Sequence, residues 1–184
     1  GRINAVLHGA VECLFSMPDK ELNGGGESLF INTVNHLKET YGINPDELEV
    51  TIMGGAGPCC YGHGADSDGK YLKHLELLEA YEKKTAGTKP IVKRGGIHKG
   101  PRKGGHSIDI NELLRRQAEA IGVKTEHICI SDDCTCCAGR SADGKNGKFF
   151  SNIYKSDKED KRRNAVTVKP KRSLWERFKR WFRK

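Results

Sequence analysis

The sequence predicts an α/β fold of the α+β kind, a mixed sheet flanked by helices, and three observations carry that prediction. Short β-branched runs such as Leu48-Glu49-Val50-Thr51-Ile52-Met53 read as buried strands. Two stretches, 28–41 and 71–84, repeat their apolar residues at helical spacing. Between Asn111 and Ile130 a helix, a Gly122 stop and a strand follow one another directly, the passage of an α/β unit. The length of 184 residues suits one domain, residues 1–168, followed by a tail, 169–184.

Taken in order, Ile3–Leu7 reads as a strand ending at His8-Gly9, a place suited to a ligand or to a solvated turn. The first residue is Gly rather than Met, so this opening run reads as the middle of a longer frame. Val11–Met17 is a second apolar run. Ser28 reads as the cap of a helix carrying Leu29, Phe30, Val34, Leu37 and Tyr41, with Gly42 as its stop and His36 on its surface. The 48–53 strand breaks into Gly54-Gly55-Ala56-Gly57-Pro58, which delivers Cys59, Cys60 and Tyr61 to a new turn. Asp66-Ser67-Asp68-Gly69 has a calcium-loop look. The twelfth residue from Asp66 is Leu77 rather than Glu, so it reads as a polar turn. Leu72, Leu75, Leu78 and Tyr81 face inward from the 71–84 helix. Residues 85–105 form a basic, Gly-rich connector, either a solvated loop or a phosphate cradle. The 111–121 helix leads to a strand over 123–130, then to the loop of Cys134, Cys136 and Cys137. Strands at 149–154 and 165–168 complete the domain.

Composition narrows the function classes. Apolar residues make up 36% and glycine contributes 22, which suits a loop-rich globule with a modest core. The net charge is +8, but residues 161–184 hold 11 Lys/Arg against one Glu, so the preceding body carries −2. A basic pI therefore describes the tail and gives the body no nucleic-acid footprint. In the tail, Leu174, Phe178, Trp181 and Phe182 share one face of an amphipathic basic helix, 173–184. That helix suits a membrane surface, RNA, a partner groove or docking on its own body. No run approaches the roughly 20 apolar residues of a membrane span, and no signal peptide is evident.

Seven cysteines, with adjacent ones at 59–60 and 136–137, read as reduced thiols in a cytoplasm. Cys59, Cys60, Cys134, Cys136 and Cys137, with His8 and His63, offer a soft donor set that suits zinc. The spacing is not that of paired zinc knuckles. Seven scattered histidines with no His-x-His argue against a multicopper centre. Thiol catalysis is a third chemistry, for which the sequence identifies no base.

Taken together, the landmarks resemble the laccase-domain (YfiH) family, also called multicopper polyphenol oxidases and associated with purine nucleoside phosphorylase activity. Gly57-Pro58-Cys59-Cys60-Tyr61 looks like its Gly-Pro-Cys-Cys-Tyr turn, and Cys134-Thr135 like its Cys-Thr turn. Phe149-Phe150-Ser151 looks like its Phe-Phe-Ser strand, and Arg162/Arg163 to Val166 like its Gly-Arg-x-Ala-x-Val end. The Asn111–Gly122 helix is similar to its Leu-rich late helix. The resemblance implies an α/β/α-type fold and a zinc-like metal held by His, Cys and His. It also implies phosphorolysis of adenosine, inosine or guanosine, with adenosine deamination alongside, so that the partners are a purine nucleoside and phosphate.

The family's last metal histidine opens a His-Ala-Gly-Trp-Arg-Gly motif. Here His8-Gly9-Ala10-Val11-Glu12-Cys13 keeps the histidine, which the resemblance makes the third ligand, and replaces Trp by Val11 and Arg by Glu12. The family's other two ligands lie upstream of this point. The rival expectation is therefore a non-catalytic nucleotide- or partner-binding relative with a membrane- or RNA-associating tail.

Overall fold

In the computed structural model, residues 3–15, 28–53, 55–99, 102–131 and 133–138 are described. The expected strands at 149–154 and 165–168, the tail helix at 173–184 and the boundary at 168 lie outside them.

The described elements form an α/β structure with both parallel and antiparallel pairing, divided between two small sheets. Helix α1 is a single turn, Val11–Leu14. Helix α2 spans Leu29–Tyr41, begins where the Ser28 side chain accepts from the Ile31 amide, and ends at Gly42 with φ of 69°. That left-handed position favours glycine and stops the helix. Strand β1 is Val50–Ile52 and β2 is Gly62–His63. Helix α3, Gly69–Lys84, is capped by Asp68, whose side chain accepts from the Tyr71 amide. The Asp-rich segment is thus a polar turn that starts a helix. Strands β3, Val92–Lys93, and β4, His106–Ile108, precede α4, Ile110–Ala120, and β5, Ile128–Ile130.

Strand β4 is central in the antiparallel sheet, between β2 and β3. Strands β1 and β5 pair in parallel with Val50 opposite Ile128 and Ile52 opposite Ile130. The core lies between α2, α3, α4 and the strands. Leu75, Leu78, Ile108 and Leu113 are among its fully buried members, each stabilising the fold by roughly 1.5–3 kcal/mol. A buried ion pair crosses its margin. Arg116 donates to Glu112 at 2.8 Å and also to the carbonyls of Glu82, Thr85 and Lys89. Burial works against the Glu112 charge, but hydrogen bonds from Arg115 and Arg116 hold its carboxyl below the ordinary range. This cation ties α4 to the end of α3 and to the loop that follows it.

Four expectations need correction. Residues 3–7 form no strand. Ile3, Val6 and Leu7 are exposed, at 43, 64 and 41%, because β-propensity does not supply a ladder partner. The 85–105 connector contains β3 and runs directly into β4 at His106, strands too short to show periodicity. In the expected 123–130 strand, residues 125–127 form a 3-10 turn and only Ile128–Ile130 pair. In α2 the inward face is Phe30 and Val34, whereas Leu29 and Tyr41 are exposed.

Candidate metal centre

Parallel pairing decides where the cysteines meet. Strands β1 and β5 run the same way in register, so the turns that follow them leave the same end of the sheet. The ladder continues past the strands: the Ser131 amide donates to the Ile52 carbonyl at 2.9 Å and the Thr135 amide to the Gly55 carbonyl at 3.0 Å. Two turns far apart in sequence are thereby zipped together at the carboxyl ends of parallel strands, where α/β sheets commonly place ligands.

Each turn is closed by its own backbone. The Cys60 and Tyr61 amides donate to the Gly57 carbonyl, both at 3.0 Å, and the Ala138 amide donates to the Cys134 carbonyl at 2.9 Å. The loop after β3 folds over the first turn, with the His98 and Lys99 amides donating to the Cys59 carbonyl at 3.2 and 3.0 Å. Gly57 sits where the two turns approach closely. A Cβ there would lie 3.2 Å from the Cys134 Cβ and 3.7 Å from the Cys59 Sγ.

The result is a group of four thiols. The sulfurs of Cys59, Cys60, Cys134 and Cys137 all lie within 4.8 Å of one another, with Cys59 and Cys137 at 3.5 Å. The Cys134 sulfur accepts from the Gly57 amide at 3.1 Å. Hydrogen bonding from the Cys136 thiol, then from the amides of Gly57, Cys137 and Cys136, lowers the Cys134 thiol to about 4. Burial pushes Cys60 up to about 11 and drives Cys59 well above its ordinary value, helped there by hydrogen bonding to Cys137 and Cys134. A Cys134 thiolate beside the raised Cys59 and Cys60 thiols is a donor set ready for a thiophilic cation. Four sulfurs at these separations fit tetrahedral zinc, for which Zn–S of about 2.3 Å implies ligand separations of about 3.8 Å.

The other sequence candidates divide. Cys136 is fully buried, stands outside the four and acts as a hydrogen-bonding neighbour of Cys134. His8 is exposed and belongs to no metal-capable group among the described residues. His63 is not a member of the thiol group. Its Nε2 meets the Nδ1 of His74 at 3.0 Å, and the His74 Nε2 meets the Phe15 carbonyl oxygen at 3.1 Å. A carbonyl only accepts, so His74 carries its proton on Nε2 and His63 donates through Nε2. Burial first, then the field of His74, lowers His63 to about 4. Nothing in the sequence pointed to His74 as its partner. Val11 sits in the core, and its amide donates to the Tyr61 hydroxyl at 3.3 Å.

Fold and site together define an α/β protein with a thiol-rich, metal-capable centre at the ends of two parallel strands. A family model described as multi-copper polyphenol oxidoreductase laccase matches residues 23–167. The chain therefore belongs to this laccase-domain family. The matched segment starts after His8 and includes all four clustered cysteines. No curated protein and no solved structure matches the chain. No helix among the described residues is long and apolar enough to cross a membrane.

Proposed function

We propose that this laccase-domain protein holds one zinc ion through Cys59, Cys60, Cys134 and Cys137, and that this ion fixes the two turns beyond β1 and β5. The observation that supports it is the convergence of four sulfurs within 4.8 Å. A closed set of four thiolates leaves no position for substrate, so the ion's contribution there is cross-linking rather than polarisation. The chain's own residues prepare the centre. Gly57 lets the turns approach, its amide and Cys136 hold Cys134 as the anion, and the His98–Lys99 amides clamp the Cys59 carbonyl. A copper(II) oxidase centre is the less suited reading, because the four-sulfur group contains no imidazole. Reduced thiols fit a cytoplasmic setting. Zinc content of the purified full chain, with and without Cys134→Ser, tests the reading.

The reaction we propose on family grounds is phosphorolysis of a purine nucleoside. The observation favouring it is the basic loop carrying Lys99, Arg102 and Lys103 against the Cys59 turn, at the strand ends where anionic ligands bind in such sheets. Phosphate-dependent release of base from adenosine and inosine tests it. Turnover abolished by omitting phosphate supports the enzyme. Zinc without turnover favours the non-catalytic binding relative, whose tail at 173–184 would then meet a membrane surface or RNA.

A further inference from the structure

We infer that the thiol centre is oxidant-responsive, with Cys59 and Cys137 as the reacting pair and a hydroperoxide as the oxidant. This rests on the zinc reading and adds regulation to it. Cys59 and Cys137 have their sulfurs 3.5 Å apart. That is closer than the roughly 3.8 Å separating ligands on a tetrahedral zinc. Both are partly exposed, as is Cys134, whereas Cys60 and Cys136 are buried, so within the centre a small oxidant reaches the pair ahead of the two buried thiols. The alternatives within the group are disfavoured. Cys59 and Cys60 are sequence neighbours, and adjacent Cα atoms about 3.8 Å apart fall below the usual disulfide span of about 4.4–6.8 Å. The Cys134 sulfur accepts from the Gly57 amide and the Cys136 thiol, and the hydrogen bonds that stabilise its anion also fix it in place and lower its nucleophilicity.

The chemistry balances within the pair. One thiol attacks the hydroperoxide, an S–O bond forms, the O–O bond breaks and an alcohol (water, for hydrogen peroxide) leaves. The second thiol attacks the sulfenic sulfur, the S–S bond forms, and the oxygen departs as water with the second thiol's proton. Two thiols lose two electrons and the hydroperoxide gains them. With two of four ligands consumed, the remaining pair no longer forms a closed site and the ion leaves. The new bond spans the same two turns, residues 57–60 and 134–137, so it takes over the ion's cross-linking role. Oxidation would therefore discharge metal without unfolding the domain.

The test uses the full chain as isolated and the same chain stripped of metal under reducing conditions, each treated with hydrogen peroxide at low molar excess. Zinc is followed with a chromogenic chelator, bonds by peptide mapping without reduction, and fold by far-ultraviolet circular dichroism. The expected result is a Cys59–Cys137 bond in both preparations, zinc released in step with it, an unchanged helical spectrum, and full reversal by a thiol reductant. A dominant bond between other cysteines, or zinc retained once the pair is oxidised, overturns the inference. Absence of zinc from the untreated chain overturns the zinc reading instead, and the metal-free arm still decides whether Cys59 and Cys137 pair.

Discussion

The buried pair His63–His74 makes the fold sensitive to acid by an amount that can be worked out. His74 must donate to the Phe15 carbonyl, which leaves its Nδ1 to accept from His63. A second proton on His74 would set one N–H against another. His63 is held near a value of 4 against an ordinary 6.5, by burial first and then by electrostatic interaction with His74, with smaller contributions from Arg102 and His106 and with Glu12 opposing. His74 is lowered as well, chiefly by burial. A base whose folded value is depressed binds fewer protons folded than unfolded. Its stabilising contribution is thus complete above about pH 6.5 and is lost as pH falls toward about 4. For His63 alone the loss is about 2 kcal/mol between about pH 7.5 and about pH 5, tending to about 3 kcal/mol below its folded value.

The comparison that isolates this is wild type against His63→Gln, which keeps an N–H donor for His74 and removes the titration. Urea denaturation followed by circular dichroism suits it, because both tryptophans, Trp175 and Trp181, lie in the tail. The stability gap between the two proteins should shift by about 2 kcal/mol against wild type over that pH interval. A gap moving by less than about 0.5 kcal/mol would refute the assignment of neutral, mutually bonded histidines.

Three further outcomes follow from particular contacts. Gly62→Ala should cost more than about 3 kcal/mol or abolish folding, because its φ is 147° and a Cβ would run into the His106 carbonyl across the β2–β4 ladder; a denaturation midpoint close to wild type would contradict this. Arg116→Ala should cost about 3–5 kcal/mol, since it strips donors from Glu112 and from the Glu82, Thr85 and Lys89 carbonyls; urea denaturation checks it. Gly57→Ala should lower zinc affinity and destabilise by about 1–2 kcal/mol, because the added methyl presses on the Cys134 Cβ; competition against a chromogenic chelator reads the affinity.

The helices were legible because their ends carry local chemistry. Ser28 and Gly42 bracket α2, and Gly122 with φ of 99° follows α4. The thiol centre was legible as residues and not as an arrangement. Cys59, Cys60 and Cys134 to Cys137 announce soft ligands. Which four converge depends on β1 and β5 pairing in parallel across 75 residues or more, and no local pattern encodes that. The exclusion of Cys136 rests on its pointing into the core beside Cys134. The Ile3–Leu7 run misled because strand-like composition says nothing about a partner. Strands β2 and β3, two residues each, were hidden because alternation cannot show over two positions. His63 looked like a free imidazole because its partner His74 lies eleven residues on, in a helix that otherwise reads as apolar packing and surface charge.

The central claim is that the four thiols form a zinc centre. The most direct measurement is elemental analysis of the full chain purified under reducing conditions, for wild type and Cys134→Ser side by side. The expected result is about one zinc per wild-type chain and a large loss in the variant. Wild-type protein that holds no zinc, even after zinc is supplied to the reduced chain, would contradict it.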